Sequence, residues 1–364
     1  MMAMLSPPMQ FATTSDGVRI AYVSLGDGPP LVWASNIFGE ANGYGFGLSH
    51  TREVTHRLAG LGWQVIRYDV RGMGLSDRHV SDLSLDGRVR DLTAVVGHLG
   101  LNRFVLGGLD VGAATAVAYT VQHPASVSHL ILLSPWASGA RYLAIPELRA
   151  ANAPATTSDH EWQIFARVHG SVALGFTNSE ALRQGTEGFL QSTSASGFAA
   201  FNAATQLIDI TNLLPQVTVP TLVIHEPAFA FGSFDLCQEV AAGIRDAQFV
   251  MVHENSIAGR VHEENIAAIV NFLRPGTAAG SGLRLPGEAV TKGAPAANGL
   301  TPREMQVLRQ VAAGATNKEI AGELRVAVST VERHLVNLYT KIGARGRADA
   351  IAYALRHRLD TPPV

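Results

Sequence analysis

The chain has 364 residues, of which 47% are hydrophobic and 16% are charged. This composition excludes general disorder and allows a sizeable core, and the length favours two domains. The single cysteine, Cys237, excludes an internal disulfide framework and fits a reducing compartment. The first residues lack the pattern of a signal peptide, and no stretch is long and apolar enough to span a membrane, so a cytoplasmic protein is expected.

The formal net charge of −2 is unevenly distributed along the chain. Residues 299–364 hold ten Lys and Arg against six Asp and Glu, whereas the preceding 298 residues are net −6. A basic tail on an acidic body indicates contact with phosphate groups, although the excess of four charges is a weak indication by itself.

Strands and helices alternate through the first 273 residues. The pattern begins with a predicted hairpin over Phe11–Tyr22, with Asp16-Gly17 at its turn. Such alternation predicts a mainly parallel sheet covered by helices on both faces. The predicted strands are 30–34, 63–69, one that starts at 104, 127–134, 219–225 and 247–252, and the predicted helices are 53–61, 85–99, 111–122 and 264–273.

Two segments break this alternation. From 137 to about 216 the apolar residues recur at helical spacing, which predicts a helical cap over the carboxyl edge of the sheet. Residues 274–298 are rich in Gly, Ala and Pro and predict a flexible linker. The expected domains are therefore 1–273, with its cap, and 299–364.

The run from Phe104 to Ala114 is the most informative stretch of the first domain. An apolar strand ends in a glycine-bracketed turn, G-x-D-x-G, with Asp110 at its centre, and a small-residue helix follows. This turn resembles the nucleophile elbow of the α/β-hydrolase fold, G-x-S-x-G. The stretch D-x-R-G-x-G-x-S-D at 69–77 resembles the same family, where it ties a tight loop together. The resemblance covers about residues 11–275 and implies an α/β-hydrolase fold with a helical cap.

The positions that carry catalysis in this family are all substituted here. Asp110 replaces the serine, Phe229 occupies the slot of the acid, and the histidine slot falls near Ser256. His253 and His262 flank that slot and stay open as relocated bases. Three substitutions are better explained by loss of catalysis than by three relocations, so no catalytic residue is expected.

A retained pocket could still bind a ligand. The expected wall consists of Asn36, Asp110, Val111, Trp136 and Phe229, and the expected ligand is a small, mostly apolar molecule such as an ester, lactone or acyl amide. The Asp110 charge is expected to be favoured by the N-terminus of the following helix. No cofactor or metal site is expected.

From residue 300 onward the sequence predicts a bundle of short helices. Capping boxes begin at Thr301, Thr316 and Ser329, and a fourth helix is predicted from Arg347 to about Arg356. The stretch L-T-P-R-E through N-L-Y-x-K-I-G-A resembles the LuxR-type helix-turn-helix domain, which implies binding of double-stranded DNA by a homodimer. The expected DNA contacts are Asn317, Lys318, Ser329, Thr330, Arg333, Asn337, Lys341 and Arg345.

Three functions remain open from the sequence. The favoured one is a transcription regulator whose hydrolase-like domain senses a ligand without turning it over. The second is a bifunctional enzyme with Asp110 as nucleophile, similar to haloalkane dehalogenases and epoxide hydrolases. The third is a constitutive DNA-binding scaffold with an empty front domain.

Overall fold

The chain divides into two compact units, residues 1–287 and 288–364, and each is described by itself. The division falls within the predicted linker, and the predicted limits of the linker itself stay a prediction. In this computed structural model the described residues are 7–34, 49–152, 158–173, 179–227, 229–252, 263–273, 302–312, 315–324 and the nine positions 330, 331, 334, 335, 338, 339, 341, 350 and 353.

The first unit is built on an eight-stranded sheet of order β1-β2-β4-β3-β5-β6-β7-β8. The first two strands form the predicted hairpin, and β2 pairs antiparallel with β4, whereas all pairs from β4 to β8 are parallel. The mainly parallel sheet predicted for this unit is thus confirmed. The strands are β1 (Gln10–Thr13), β2 (Arg19–Leu25), β3 (Pro30–Ala34), β4 (Gln64–Tyr68), β5 (Phe104–Leu109), β6 (Val127–Leu133), β7 (Thr221–His225) and β8 (Gln248–Met251).

The helices connect successive strands and build the predicted cap between β6 and β7. Those outside the cap are α1 (Ser49–Gly60), α2 (Leu85–His98), α3 (Val111–Gln122), α9 (Phe234–Gly243) and α10 (Glu263–Phe272). The cap consists of α4 (Gly139–Leu143), α5 (Pro146–Asn152), α6 (Asp159–Ala173), α7 (Ser179–Ser192) and α8 (Ala195–Gln206), followed by a 3-10 helix over Thr211–Gln216.

The central strands are buried on both faces because their sequences are almost continuously apolar. On one face they pack against α2, α3 and the cap, so that the cap and the sheet share one core. On the other face they pack against α1 and α10. The carboxyl ends of the parallel strands therefore lie next to the cap, where this architecture places its ligands.

The loop after β4 has the structural role that its motif implies. Arg71 is buried, and its Nε donates to Asp91 Oδ1 at 2.8 Å while its Nη1 donates to Asp16 Oδ2 at 2.8 Å. Asp77 accepts from both the backbone and the guanidinium of Arg19. These ion pairs join the loop to the hairpin and to α2. The charged side chains of Arg71 and Asp77 therefore have structural partners.

The second unit contains α11 (Pro302–Ala312) and α12 (Asn317–Leu324), and the predicted capping box at α12 is confirmed. The backbone N–H of Thr316 donates to Glu319 Oε2 at 2.7 Å, and the N–H of Glu319 donates back to Thr316 Oγ1 at 3.3 Å. The described residues of the third and fourth predicted helices are helical. The buried apolar residues of this unit are Val307, Leu308, Val311, Ile320, Ala321, Val331, Leu335, Leu338 and Ala350.

Candidate functional site

The turn between β5 and α3 has the backbone geometry of a strained elbow. Asp110 has φ 53° and ψ −117°, a conformation that residues with a Cβ rarely adopt. A Cβ added to Gly108 would lie 2.6 Å from the carbonyl oxygen of Gly112 and 2.8 Å from Ala113 Cα. The glycine is required because α3 starts directly against the end of β5. The elbow predicted from the sequence is therefore present, with an aspartate at its tip.

Both oxygens of the Asp110 carboxylate accept hydrogen bonds from buried aromatic residues. Trp136 Nε1 donates to Oδ1 at 2.7 Å, and the Tyr142 hydroxyl donates to Oδ2 at 2.7 Å. The two rings stack on each other with centroids 5.0 Å apart and an interplanar angle of 15°. Because Trp136 follows β6 and Tyr142 belongs to α4, these bonds join the elbow to the first helix of the cap.

Burial dominates the electrostatics of Asp110 and raises its pKa to about 6. The bonds from Trp136 and Tyr142, the Val111 N–H and the field of Arg88 all lower the pKa but do not cancel the burial. The helix N-terminus was expected to favour the charged form of Asp110, and burial opposes that form more strongly. The carboxyl group is still mostly ionised at pH 7, whereas Tyr142 stays protonated because burial and the Asp110 charge raise its pKa well above the usual value.

Arg88 of α2 is a buried cation near the elbow. Its Nη2 donates to Thr205 Oγ1 at 3.0 Å and its Nε donates to the Leu83 carbonyl at 3.1 Å, and the guanidinium lies 3.9 Å from the centre of the Phe201 ring. Burial lowers the pKa of Arg88 to about 10, so the group stays protonated at neutral pH. Arg88 thus anchors the cap helix α8 to α2 and acts on Asp110 through its field.

A narrow cavity lies between the elbow and the cap. The cavity has a volume of about 20 Å³, which is enough for one or two heavy atoms in the structure as it is. Most of its wall comes from the cap, so a larger ligand requires cap residues to move. The lining residues are Asp110, Val111, Tyr142, Leu143, Leu148, Asn152, His169, Phe198, Asn202 and Phe231.

His169 of α6 is the histidine that shares this cavity with Asp110 among the described residues. It stacks on Phe189 with centroids 5.5 Å apart and contacts Phe231 at 5.0 Å. Burial among these aromatic rings lowers the pKa of His169 to about 4. The imidazole is therefore neutral at pH 7.

The structure places two of the five residues predicted for the ligand-binding wall on this cavity. Asp110 and Val111 line it, whereas Trp136 and Phe229 are not among the described residues that do so. Trp136 instead contacts Asp110 and Tyr142. Phe229 packs edge-on against Phe231, and Phe231 is the residue of this pair that lines the cavity. The predicted wall residue Asn36, the histidine slot at Ser256 and the flanking His253 and His262 lie outside the described residues.

Several wall residues were not predicted from the sequence. His169 continues the apolar stripe of Trp162 and Phe165 on α6, at i+7 and i+4, and this spacing is the signal that could have placed it in the cap core. Tyr142 and Asn152 lie in short helices without a periodic pattern, so no comparable signal existed. Glu226, a buried carboxylate next to the Phe229 slot, was also missed; its Oε2 accepts from Asn265 Nδ2 at 3.3 Å, which ties it to α10.

In the second unit the structure describes four of the eight predicted DNA contacts. Lys318 is exposed, and Asn317 and Thr330 are half-buried. Lys341 Nζ donates to both oxygens of the buried Glu304 carboxylate at 2.8 and 2.7 Å, so its ammonium is engaged within the unit. The sequence did not predict this ion pair, which gives Lys341 a structural role. Ser329, Arg333, Asn337 and Arg345 lie outside the described residues.

These features define a protein of two parts, a capped α/β-hydrolase-fold domain with an aspartate at its elbow and a LuxR-type helix-turn-helix domain. The chain belongs to the family described as serine aminopeptidase, S33, whose model matches residues 41–227. The model described as bacterial regulatory proteins, luxR family, matches residues 298–354. The chain is thus a fusion of a hydrolase-fold domain with a LuxR-type DNA-binding domain.

Relatives match the two parts separately. The AB hydrolase superfamily protein YisY of Bacillus subtilis (strain 168) is 28% identical over 270 residues, which are 70% of this chain and 94% of that protein. The probable transcriptional regulatory protein NarL of Mycobacterium tuberculosis is 47% identical over 75 residues, which are 21% of this chain and 35% of that protein. The chain therefore spans only about a third of this second relative.

Solved structures agree with the fold of the first part. A hydrolase from Pseudomonas aeruginosa PA01 superposes with a TM-score of 0.58 at 21% identity, over 74% of this chain and 99% of that chain. An esterase from Exiguobacterium antarcticum superposes with a TM-score of 0.60 at 18% identity, over 72% of this chain and 98% of that chain. Within the described residues, no helix combines the length and hydropathy needed to cross a membrane, and no group of metal-ligating side chains is found.

Proposed function

We propose that the protein is a ligand-responsive, DNA-binding transcription regulator whose hydrolase-fold domain binds a small molecule without turning it over. The observation that carries this proposal is the double hydrogen bond to Asp110. A nucleophilic carboxylate must direct electron density from one oxygen at the substrate, and each Asp110 oxygen here already accepts a hydrogen bond from a buried donor, which lowers its nucleophilicity. Asp110 thereby holds the first cap helix at the elbow. The backbone of the elbow keeps its strained geometry although aspartate stands where the α/β-hydrolase pattern has serine.

The ligand in this proposal is a small, mostly apolar molecule that enters the cavity beside Asp110. The aromatic and aliphatic wall supplies the burial, and the elbow supplies the polar contact. Esters, lactones and acyl amides stay predictions for its class. Tyr142 joins Asp110 to α4. A ligand that competes with Tyr142 for this carboxylate therefore shifts the cap away from the conformation in which α4 is bound to the elbow.

The second part is proposed to bind double-stranded DNA as a homodimer in the cytoplasm. Its proposed contacts are Asn317, Lys318, Ser329, Thr330, Arg333, Asn337 and Arg345, which combine donors for phosphates and for base edges. Support comes from the LuxR-type domain match and from the basic charge of residues 299–364. Lys341 is left out of these contacts because Glu304 occupies its ammonium.

The test is to incubate the purified full chain with esters, lactones, acyl amides, amines, epoxides and haloalkanes and to weigh what stays bound by mass spectrometry. A compound recovered intact that also changes the affinity of the protein for DNA supports the sensor. A product released over many turnovers contradicts it. If no compound in the panel changes DNA binding, the constitutive scaffold is the better account.

A second function, hydrolysis through a covalent ester, is favoured by the position of His169 on the same cavity. An Asp110 oxygen would attack a substrate carbon, the leaving group would depart, and water activated by neutral His169 would hydrolyse the ester. Replacing His169 by Asn would then trap the ester, and the intact mass of the protein would rise by the alkyl group. The sensor proposal expects no such increase with either the wild type or the variant.

A further inference from the structure

Two of the side chains that line the cavity, Asp110 and Asn152, carry buried hydrogen-bond acceptors. Asp110 contributes an ionised carboxylate with one remaining lone-pair direction on each oxygen. The Oδ1 of Asn152 is buried and accepts no hydrogen bond from any described residue. Such acceptors repel the carbonyl oxygen of an ester or lactone and favour a head group that presents N–H or O–H donors.

The charge of the wall points in the same direction. None of the described lining residues is Lys or Arg, so the described part of the wall brings no cation to the ligand space. Arg88 directs its described hydrogen bonds to Leu83, Phe201 and Thr205 and reaches Asp110 only through its field. A buried carboxylate without a contacting cation gains most from a ligand that carries a positive charge.

Aromatic rings complete the wall. Tyr142, Phe198 and Phe231 line the cavity together with His169, which is neutral at pH 7. Aromatic faces attract ammonium groups, and the attraction strengthens when the site is closed to water. The cavity of about 20 Å³ matches a head group of one or two heavy atoms. The acceptors, the absence of Lys and Arg from the described lining residues, the aromatic rings and the size of the cavity therefore favour the same kind of head group.

We propose that the cavity binds the protonated amino group of a small primary amine, with N–H donors on Asp110 and Asn152 and its apolar substituent directed towards the cap. This inference rests on the proposed sensor function and specifies the ligand class of the same site. It predicts that a compound with a carbonyl or carboxylate head group binds more weakly than the amine of the same carbon skeleton.

The experiment titrates the full chain at pH 8 by calorimetry with four compounds of matched skeleton: n-butylamine, n-butanol, methyl butyrate and butyrate. Methylamine and benzylamine extend the amine series to smaller and larger substituents. We expect an amine to bind at least about tenfold more tightly than the matched alcohol and ester. Equal or tighter binding of the neutral compounds, or no binding of any amine, overturns the inference.

Two variants test the contacts. Asp110→Asn keeps the size of the side chain and removes the charge, and we expect it to lose the amine preference while still binding the alcohol. Asn152→Leu removes the acceptor while leaving Trp136 and Tyr142 on Asp110, and we expect amine affinity to fall several-fold. Unchanged amine binding by Asp110→Asn contradicts the inference, and a thermal melt shows whether each variant is folded.

The same samples separate this inference from the proposed function. Amine binding that leaves the affinity for DNA unchanged supports the ligand class and contradicts the regulator. A neutral ligand that is recovered intact and alters DNA affinity supports the regulator and overturns the amine. An amine that is recovered intact and alters DNA affinity supports both.

Discussion

At the scale of single residues, Asp110 is the centre of the site because it combines strain, burial and charge. Its backbone keeps the elbow conformation, yet its carboxylate is held by Trp136 and Tyr142. Its pKa, raised to about 6 by burial, means that folding has to bury a partly charged group at neutral pH. A buried carboxyl group with a raised pKa that also lines a cavity is a candidate for function.

This balance predicts how Asp110 affects stability with pH. A carboxyl whose folded pKa lies above its unfolded value of 3.8 stabilises the fold when protonated, and this stabilisation is lost as pH rises through about 6. Relative to Asp110→Asn, the wild type should therefore lose roughly 2 kcal/mol between pH 4 and pH 7. Urea unfolding of both proteins at several pH values measures this difference.

The comparison with Asn removes the contributions of other groups that titrate in the same way in both proteins. The groups that act on Asp110 from neighbouring elements are Arg88 on α2, Tyr142 on α4 and Cys237 on α9, and His169 on α6 lines the same cavity. Their shifts keep Arg88 and Tyr142 protonated and His169 neutral at pH 7. A difference between the two proteins that stays constant with pH would contradict a raised pKa.

At the scale of elements, the junction between β5 and α3 fixes the elbow and is sensitive to added atoms. Gly108→Ala would bring a Cβ to 2.6 Å from Gly112 O, so backbone has to shift. We expect a loss of about 2–4 kcal/mol in the free energy of unfolding, together with loss of ligand binding. Gly97→Ala in α2 is the matched control, because nothing lies within 4 Å of its added Cβ. Its expected effect is neutral or stabilising by up to about 1 kcal/mol.

In the second unit, the ion pair of Glu304 with Lys341 joins α11 to the third predicted helix. Glu304 is buried, and Lys341 donates to both of its oxygens. Lys341→Met removes this ammonium and should cost about 1–3 kcal/mol in the stability of the module. Lys318→Met, at an exposed position, should leave the melting temperature unchanged. Equal melting temperatures for both variants would show that the ion pair contributes nothing.

The elements that the sequence predicted well are those with strong local patterns. The hairpin, the parallel strands and the elbow were marked by turn residues and apolar runs, and the box at Thr316 and Glu319 formed as predicted. The cavity could not be predicted in the same way, because its wall is assembled from short cap helices that meet only in the folded chain. Trp136 was predicted to lie in the wall, and the structure places its Nε1 on Asp110 Oδ1, whereas Tyr142 carried no sequence signal.

At the scale of the whole molecule, the proposal separates recognition of DNA from recognition of the ligand. Arg333→Ala should weaken DNA binding about tenfold by removing a donor of the predicted recognition helix. Affinity for DNA should also fall steeply between low and high salt, since phosphate contacts release counterions. Fluorescence anisotropy over a salt series measures both effects. Unchanged affinity of the variant would contradict the assignment of this helix.

We propose that occupancy of the Asp110 cavity controls DNA binding without chemical turnover. This proposal is tested by the dissociation constant of the full chain for DNA, with and without each ligand of the panel, in wild type and Asp110→Asn. We expect that at least one ligand changes this constant in the wild type, has a smaller effect in the variant, and is recovered intact. A ligand that is consumed, or a dissociation constant that no ligand changes, would contradict it.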